Sequence, residues 1–192
     1  NIALRNIALK HGFKINEYGI FKGAKRLASK TEEDMYRVLG LPYIEPELRE
    51  NRGEIEAAAI GALPELIDLE DIRGDLHIHS KATDGADTIE DMALAARDLG
   101  YSYLGITDHS KRLTVARGLD SERLLRQIEE IERLNVKLKE ITIFKSIEVD
   151  ILKDGTLDLP DKLLERLDFT VCAVHSHFHL SKEKQTERIL RA

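Results

Sequence analysis

The apolar positions fall into two rhythms along the chain. Over residues 2–11 (IALRNIALKH), Ile2, Leu4, Ile7, Ala8 and Leu9 recur at roughly helical spacing, and Gly12 supplies a C-terminal stop. FKINEYGIF reads as a strand. Thr31 begins TEED, a capping-box pattern that opens a short helix through Leu39 before Gly40 and Pro42 end it. Pro42, Pro46 and Pro64 leave residues 40–72 as a connector with at most short helices, of which EIEAAAIGAL is amphipathic. A boundary is expected near Arg73.

Beyond Arg73 strands and helices alternate. RGDLHIHS, SYLGIT, ITIFKSIEV and DFTVCAVHS read as strands. The first helix opens at Thr88 and closes at Gly100. A long helix over residues 120–139 carries Leu124, Ile128, Ile131, Leu134 and Leu138 on one stripe. LPDKLLERL is a short helix, and another starts at Ser181. This alternation predicts an α/β fold built on a parallel sheet or barrel.

The polar residues on those strands change the picture. Side chains alternate along a strand, so Asp75, His77 and His79 share one face. Buried imidazoles need partners, and a metal ion is one that two rings at HxH spacing can share. Asp108 and His109 follow SYLGIT, Glu148 and Asp150 lie in SIEVD, and His175, His177 and His179 follow TVCAV. Six of the seven histidines thus sit at strand C-terminal ends, the rim where barrel enzymes gather catalytic side chains. His11, at a helix end, reads as a surface residue.

Mixed imidazole and carboxylate donors suit Zn²⁺, Mn²⁺ or Fe²⁺. So many candidates exceed one tetrahedral site. They point to a cluster of two or three divalent ions bridged by a carboxylate such as Glu148, with water activated on the ions, and no side chain, attacking a phosphoester. Plainer roles stand beside these. Asp84 in TDGAD suits a turn, Asp108 suits capping or orienting, and Asp75 and Asp150 suit structural roles or the holding of a ligand's other ring nitrogen. His177 and His179 share His175's face only if the strand continues, and they read as bystanders. Cys172 reads as a buried small hydrophobe. Its i,i+3 spacing to His175 points the two to opposite strand faces, and no GxSxG, GxxxxGK[ST] or GxGxxG motif offers another chemistry.

Composition adds limits. Apolar residues are 42% of 192, enough for a core, yet no run approaches the ~18–20 apolar residues of a membrane helix. The single cysteine fits a reducing cytoplasm. Charge is unevenly spread. Residues 1–30 carry Arg5, Lys10, Lys14, Lys22, Lys25, Arg26 and Lys30 against Glu17 alone, while the rest holds 22 basic and 34 acidic residues. A basic lobe before an acidic body points to a polyanion partner for the first.

The ordered motifs GDLHIHSKATDG, GITDHS, SIEVDIL and VHSHF resemble the polymerase-and-histidinol-phosphatase (PHP) domain. They are closest to the form at the C-terminus of bacterial and archaeal family X DNA polymerases. NIALRNIALKHGFKINEYGIF is similar to the thumb of those polymerases, and LGLPYIEPELRENRGEIEAA to the thumb-to-PHP connection. The resemblance implies a thumb end over 1–45, a linker over 46–72 and a PHP domain over 73–192 that forms part of a distorted (βα)7 barrel. It further implies that His77 and His79 hold a first ion, that Glu148 bridges to a second held by His175, and that Asp84 and His109 hold a third. The implied activity is Mn²⁺-dependent 3′–5′ exonuclease and end processing, in a parent that fills short gaps in DNA repair using deoxynucleotides. Arg5 matches a thumb position that touches the template strand.

Relative to that family the palm, with its polymerase aspartates, is missing, so this chain is not expected to polymerise. A later histidine and an Asp-x-His pair would follow Ala192, and without them an open barrel and an underfilled cluster are expected. Ser146 stands where the family often has glycine. Two other readings remain: a PHP phosphatase acting on a small phosphomonoester such as histidinol phosphate, and a non-catalytic PHP scaffold. Comparing hydrolysis of DNA ends with that of small phosphates separates the first from the exonuclease.

Overall fold

The structure is a computed structural model that describes residues 2–28 and 30–192. They divide into two compact units, Asn1–Leu66 and Ile67–Ala192.

In the first unit, α1 (Ile2–Lys10) ends at Gly12, whose φ of 69° suits a residue without a Cβ. β1 (Lys14–Asn16), β2 (Gly19–Lys22) and β3 (Lys25–Ala28) then form an antiparallel sheet in chain order. FKINEYGIF is therefore a hairpin rather than the single strand expected. Asn16 Oδ1 accepts from the Tyr18 backbone N–H at 2.9 Å, and Gly19 adopts a φ of 130°, so the chain reverses across Glu17 and Tyr18. Thr31 caps α2 (Glu32–Val38) by accepting from the Asp34 N–H. Ala8, Ile20 and Leu39 form one buried cluster, and Tyr36, Ile44 and Ala58 of α3 (Glu54–Ala59) form another. All seven Lys and Arg of residues 1–30 are exposed.

The second unit runs β4 (Gly74–Ile78), α4 (Ile89–Asp98), β5 (Tyr103–Ile106), α5 (Ser121–Lys137), β6 (Thr142–Lys145), β7 (Glu148–Asp150), α6 (Asp161–Leu164), β8 (Val171–Ala173) and α7 (Lys182–Arg191). β4, β5 and β6 pair in parallel, as do β7 and β8. The mixed α/β architecture with parallel strands matches the sequence reading. ITIFKSIEV, expected as one strand, bends at Ser146–Ile147. Its first half pairs with β5, and its second half pairs with β8 while staying tied to the end of β5. Glu148 N–H donates to Asp108 O at 3.0 Å, and Ser110 N–H donates to Glu148 O at 2.9 Å. The bend carries Glu148 to the middle of the strand ends.

Two apolar clusters hold this unit. Ile89, Ala93 and Ala96 of α4 and Ile131 and Leu134 of α5 cover Leu104, Ile106 and Ile143. Leu124 and Ile128 of α5 join Ile147, Val149, Leu159 and Leu163. The α5 stripe is thus buried as its period predicts. Two expectations fail. β8 ends at Ala173, so His175, expected at the end of the strand DFTVCAVHS, lies in the loop after it. Cys172 is exposed rather than buried, because β8 pairs only with β7 and Cys172 lies on an uncovered side. No helix among the described residues is long and apolar enough to cross a membrane.

Candidate metal centre

The strand ends converge on Glu148. Its side chain is only 9% exposed, and four imidazoles surround it. Oε2 lies 3.6 Å from His77 Nε2, 3.3 Å from His79 Nε2 and 2.9 Å from His109 Nδ1, while Oε1 lies 3.4 Å from His175 Nε2. His77 and His79 stack at 5.4 Å between ring centroids, side by side at the end of β4. Asp84 faces the other side of the group, with Oδ1 2.9 Å from His79 Nδ1 and Oδ2 3.3 Å from His109 Nε2. Burial acts to raise the Asp84 pKa. The His79 hydrogen bond and the nearby His109 and His79 charges outweigh it and hold the carboxyl below its ordinary value.

The six expected residues therefore meet in three overlapping groups: His77, His79 and Glu148; His79, Asp84 and His109; His109, Glu148 and His175. Within each, one nitrogen or carboxylate oxygen per residue lies within 4.8 Å of the others. Nδ1 of His109 and of His175 are buried without a hydrogen-bond partner. The nearest carboxylate oxygens stand at 2.9 Å from the first and 3.3 Å from the second, but neither is aligned to pair. His109 Nδ1, which faces Glu148, is left buried and unpaired at a cost of about 1–3 kcal/mol, and a divalent cation is the partner this donor set suits. The residues present fit such ions.

Two loops set this geometry. Gly85 packs so tightly on β4's end that a Cβ there would lie 2.1 Å from His79 O, which lets residues 80–85 fold back and bring Asp84 to His79. Arg117 and Arg123 donate to the carbonyls of Lys81, Ala82 and Thr83 and clamp the same loop. Arg117 does so from a left-handed φ of 59°.

Asp108 lies at the end of β5, fully buried, and it is a hub rather than a member of the three groups. It accepts from Ser80 N–H at 2.8 Å, Ser80 Oγ at 2.6 Å, Thr83 Oγ1 and Gln127 Nε2. Asp150 is buried 3.3 Å from His175 Nδ1, beside the ring nitrogen that faces away from Glu148. Asp75 is exposed and accepts from the His77 N–H at 2.9 Å. His177 and His179 stand outside the three groups, with ring centroids 6.1 Å apart. Burial first, then the charges of Arg112, Lys153 and Arg188, lower the His177 pKa.

The sequence reading missed Ser80, Thr83, Gln127, Arg117, Arg123 and Arg188. Only Gln127 had a visible signal, as a polar residue on the buried stripe of α5. Arg5 lies exposed on α1 in the first unit, where it lines an open groove of about 890 Å³ with Asn6, Asn16, Glu17 and Arg49.

Comparison with known proteins follows the same division. Residues 1–50 match the sequence model of the DNA polymerase beta thumb, and residues 75–191 match that of the PHP domain. The chain is 43% identical over 181 residues to the DNA polymerase/3′-5′ exonuclease PolX of Bacillus subtilis, covering 93% of this chain and 31% of that protein. It is 33% identical over 104 residues to a "Probable phosphatase" of Syntrophotalea carbinolica (54% of this chain, 41% of that protein). It is 34% identical over 103 residues to another from Acetivibrio thermocellus (53% and 40%). The chain thus spans about a third to two fifths of the length of these relatives.

Proposed function

Because the chain belongs to the PHP domain family and carries a DNA polymerase beta thumb ahead of that domain, we propose that its second unit hydrolyses phosphoesters at DNA 3′ ends with a cluster of divalent ions. The observation that carries this reading is the convergence of four histidines on one buried carboxylate, Glu148, with Asp84 closing the far side.

A neutral imidazole offers one lone pair, so His79 and His109 can each serve only one ion even though each faces two groups. One allocation that uses each histidine once would give His77 and His79 with Glu148 to one ion, Glu148 again with His175 to a second, and Asp84 with His109 to a third. Divalent ions, Mn²⁺ or Zn²⁺, would supply a Lewis acid for the phosphoryl oxygens and lower the pKa of water at the site. The chain's own residues do the positioning. Asp150 stands 3.3 Å from the His175 ring nitrogen that faces away from Glu148, and Asp108 fixes the loop that carries Asp84. No side chain is assigned as the nucleophile.

DNA is favoured over a small phosphate because the PolX relative matches 93% of this chain, whereas the phosphatases match only about half. The exposed basic residues of the first unit, Arg5 among them, would neutralise DNA phosphates. The parent protein would work in the cytoplasm on gapped or 3′-ended DNA.

The test compares release of 3′ nucleotides from a labelled oligonucleotide with hydrolysis of histidinol phosphate, in Mn²⁺. Wild type and a variant with His77 and His79 replaced by alanine are both assayed, and bound metal is counted by mass spectrometry. Wild type should trim the oligonucleotide, and the double variant should lose both metal and activity. Metal occupancy and trimming that both survive the replacements would refute the site. Turnover confined to histidinol phosphate would refute the substrate class.

A further inference from the structure

Resting on the DNA-end reading, we propose that Phe178 is a stacking platform for the nucleobase at the 3′ end of a single-stranded DNA substrate. Phe178 is 72% exposed. It follows His175 by three residues, so its Cα lies within ~11 Å of that residue's, consecutive Cα atoms being ~3.8 Å apart. That upper bound keeps Phe178 within about one nucleotide's reach of His175.

A lone exposed apolar side chain is ordinary, but the loop that carries this one is held at several points. Ser176 O accepts from Arg188 Nη1 at 2.9 Å, and His177 O accepts from Gln185 Nε2 at 2.9 Å and from Leu180 N–H at 3.3 Å. Arg188 is only 2% exposed. Its remaining N–H groups reach Leu152 O at 2.8 Å, Gln185 Oε1 at 3.3 Å and Ile151 O, so one guanidinium fastens the loop after β7 to the loop after β8. A buried arginine bonded mainly to carbonyl oxygens is costly, and here it fixes where the residues beside His175 stand.

The loop also carries strain. His177 adopts a φ of 56°, a left-handed conformation disfavoured for any residue with a Cβ and one that the surrounding contacts must enforce. Phe178 is the next residue after this strained position and is exposed.

The cations of Arg112, Lys153 and Arg188 bear on the neighbouring His177, and Lys111, next to Arg112 in the chain, is exposed. An aromatic face beside cations is how proteins hold single-stranded nucleic acid without reading its sequence. A small phosphomonoester without a base would gain nothing from Phe178, so this residue would separate the two substrate classes.

The test uses the full-length protein loaded with Mn²⁺ and a short single strand whose 3′-terminal base is 2-aminopurine. A phosphorothioate linkage protects that end from hydrolysis. Binding and fluorescence quenching are read for wild type, Phe178→Ala and Phe178→Trp, with Mn²⁺ binding followed separately by electron paramagnetic resonance. Wild type and Phe178→Trp should quench the 2-aminopurine. Phe178→Ala should bind roughly 5- to 100-fold more weakly without quenching. It should also retain all Mn²⁺ and bind a strand with an abasic 3′ end as wild type does.

Undiminished affinity and quenching in Phe178→Ala would overturn the platform, as would loss of Mn²⁺ in that variant, which would make Phe178 a structural prop. If wild type trims DNA ends while Phe178→Ala binds them unchanged, the platform alone falls. If wild type neither binds nor trims DNA ends, the proposed function falls with it.

Discussion

The two units bury different kinds of residue. Among the described residues, the interior of the first is built from Ala8, Ile20, Ala28, Tyr36, Leu39, Ile44 and Ala58, and its charged side chains are exposed or half-buried. Every buried polar or charged side chain among them belongs to the second unit: Ser80, Thr83, Thr107, Asp108, His109, Ser110, Gln127, Ser146, Glu148, Asp150, Asp158 and Arg188. Apolar burial stabilises without further conditions, whereas each buried polar group costs free energy unless it is paired. The second unit carries this burden at the strand ends, and some atoms there stay unpaired, His109 Nδ1 and His175 Nδ1 among them. The first unit keeps its basic residues at the surface; the second turns polar groups inward.

The strongest break of that contrast is Glu148→Gln. Glu148 is the one carboxylate within 3.6 Å of His77, His79, His109 and His175. The variant should lose at least one bound Mn²⁺ and more than about a hundredfold in hydrolysis, beyond the ~10–100-fold typical of residues that only hold a ligand. Arg5→Ala should leave metal content untouched and weaken DNA binding alone. Calorimetric titration with Mn²⁺ and, separately, with single-stranded DNA reads the two variants. A Glu148→Gln protein that keeps every ion would make the inward polar groups merely structural.

Next in size is Asp108→Ala, which deprives buried donors on Ser80, Thr83 and Gln127 of their acceptor. At about 1–3 kcal/mol for each donor left unsatisfied, urea unfolding should show a loss of roughly 3 kcal/mol or more. In the first unit, Thr31→Ala removes a helix cap and should cost only about 1 kcal/mol. Equal losses from the two variants would mean that Asp108 is not the hub its contacts describe.

Gly85→Ala sharpens the geometry within the second unit. A methyl 2.1 Å from His79 O cannot be accommodated without moving the loop. The expected destabilisation is about 1–3 kcal/mol. Asp84 should swing away from His79 and His109, so Mn²⁺ bound through that group should be lost while the ion held by His77, His79 and Glu148 stays. Metal counting that finds no change would show that the fold-back of residues 80–85 is not needed for the site.

How much of this was legible beforehand depended on whether the information was local. The helices of the second unit followed from the stripe Leu124, Ile128, Ile131 and Leu134 and from caps such as Thr88 and Asp120, all readable within a few residues. Strand ends and residue type together marked His77, His79, His109, Glu148 and His175, Asp84 came only from the family resemblance, and the structure brings all six together. The hairpin at Asn16–Gly19 was misread because its turn chemistry, an Asn side chain and a glycine with positive φ, lies inside an apolar-flanked run. The bend at Ser146 was missed because it answers to two neighbours, β5 and β8, that no local pattern reveals. Arg188 was invisible for the same reason: its acceptors lie on Ile151, Leu152 and Ser176, 12 to 37 residues away.

The smallest effect belongs to the first unit and tests whether charge there acts at the surface alone. Glu32 lies 2.7 Å from Arg49, whose guanidinium stacks over Tyr36 and Tyr43 and donates to Ile44 O at 2.8 Å. The Arg49 hydrogen bond, opposed by burial, holds the Glu32 carboxyl below its ordinary value. A carboxyl whose folded pKa is depressed stabilises fully above its unfolded pKa, and that contribution fades as pH falls through the folded value. Glu32→Gln should therefore destabilise the protein at pH 7 and lose most of its effect in acid. Because the Glu32 side chain is 60% exposed, solvent and salt screen the pair, and the difference at pH 7 should stay under about 1 kcal/mol. Urea unfolding of both proteins at pH 7 and pH 3 reads it. A penalty that persists at pH 3 would mean that stacking of Arg49 on the tyrosines, rather than its charge, holds this segment.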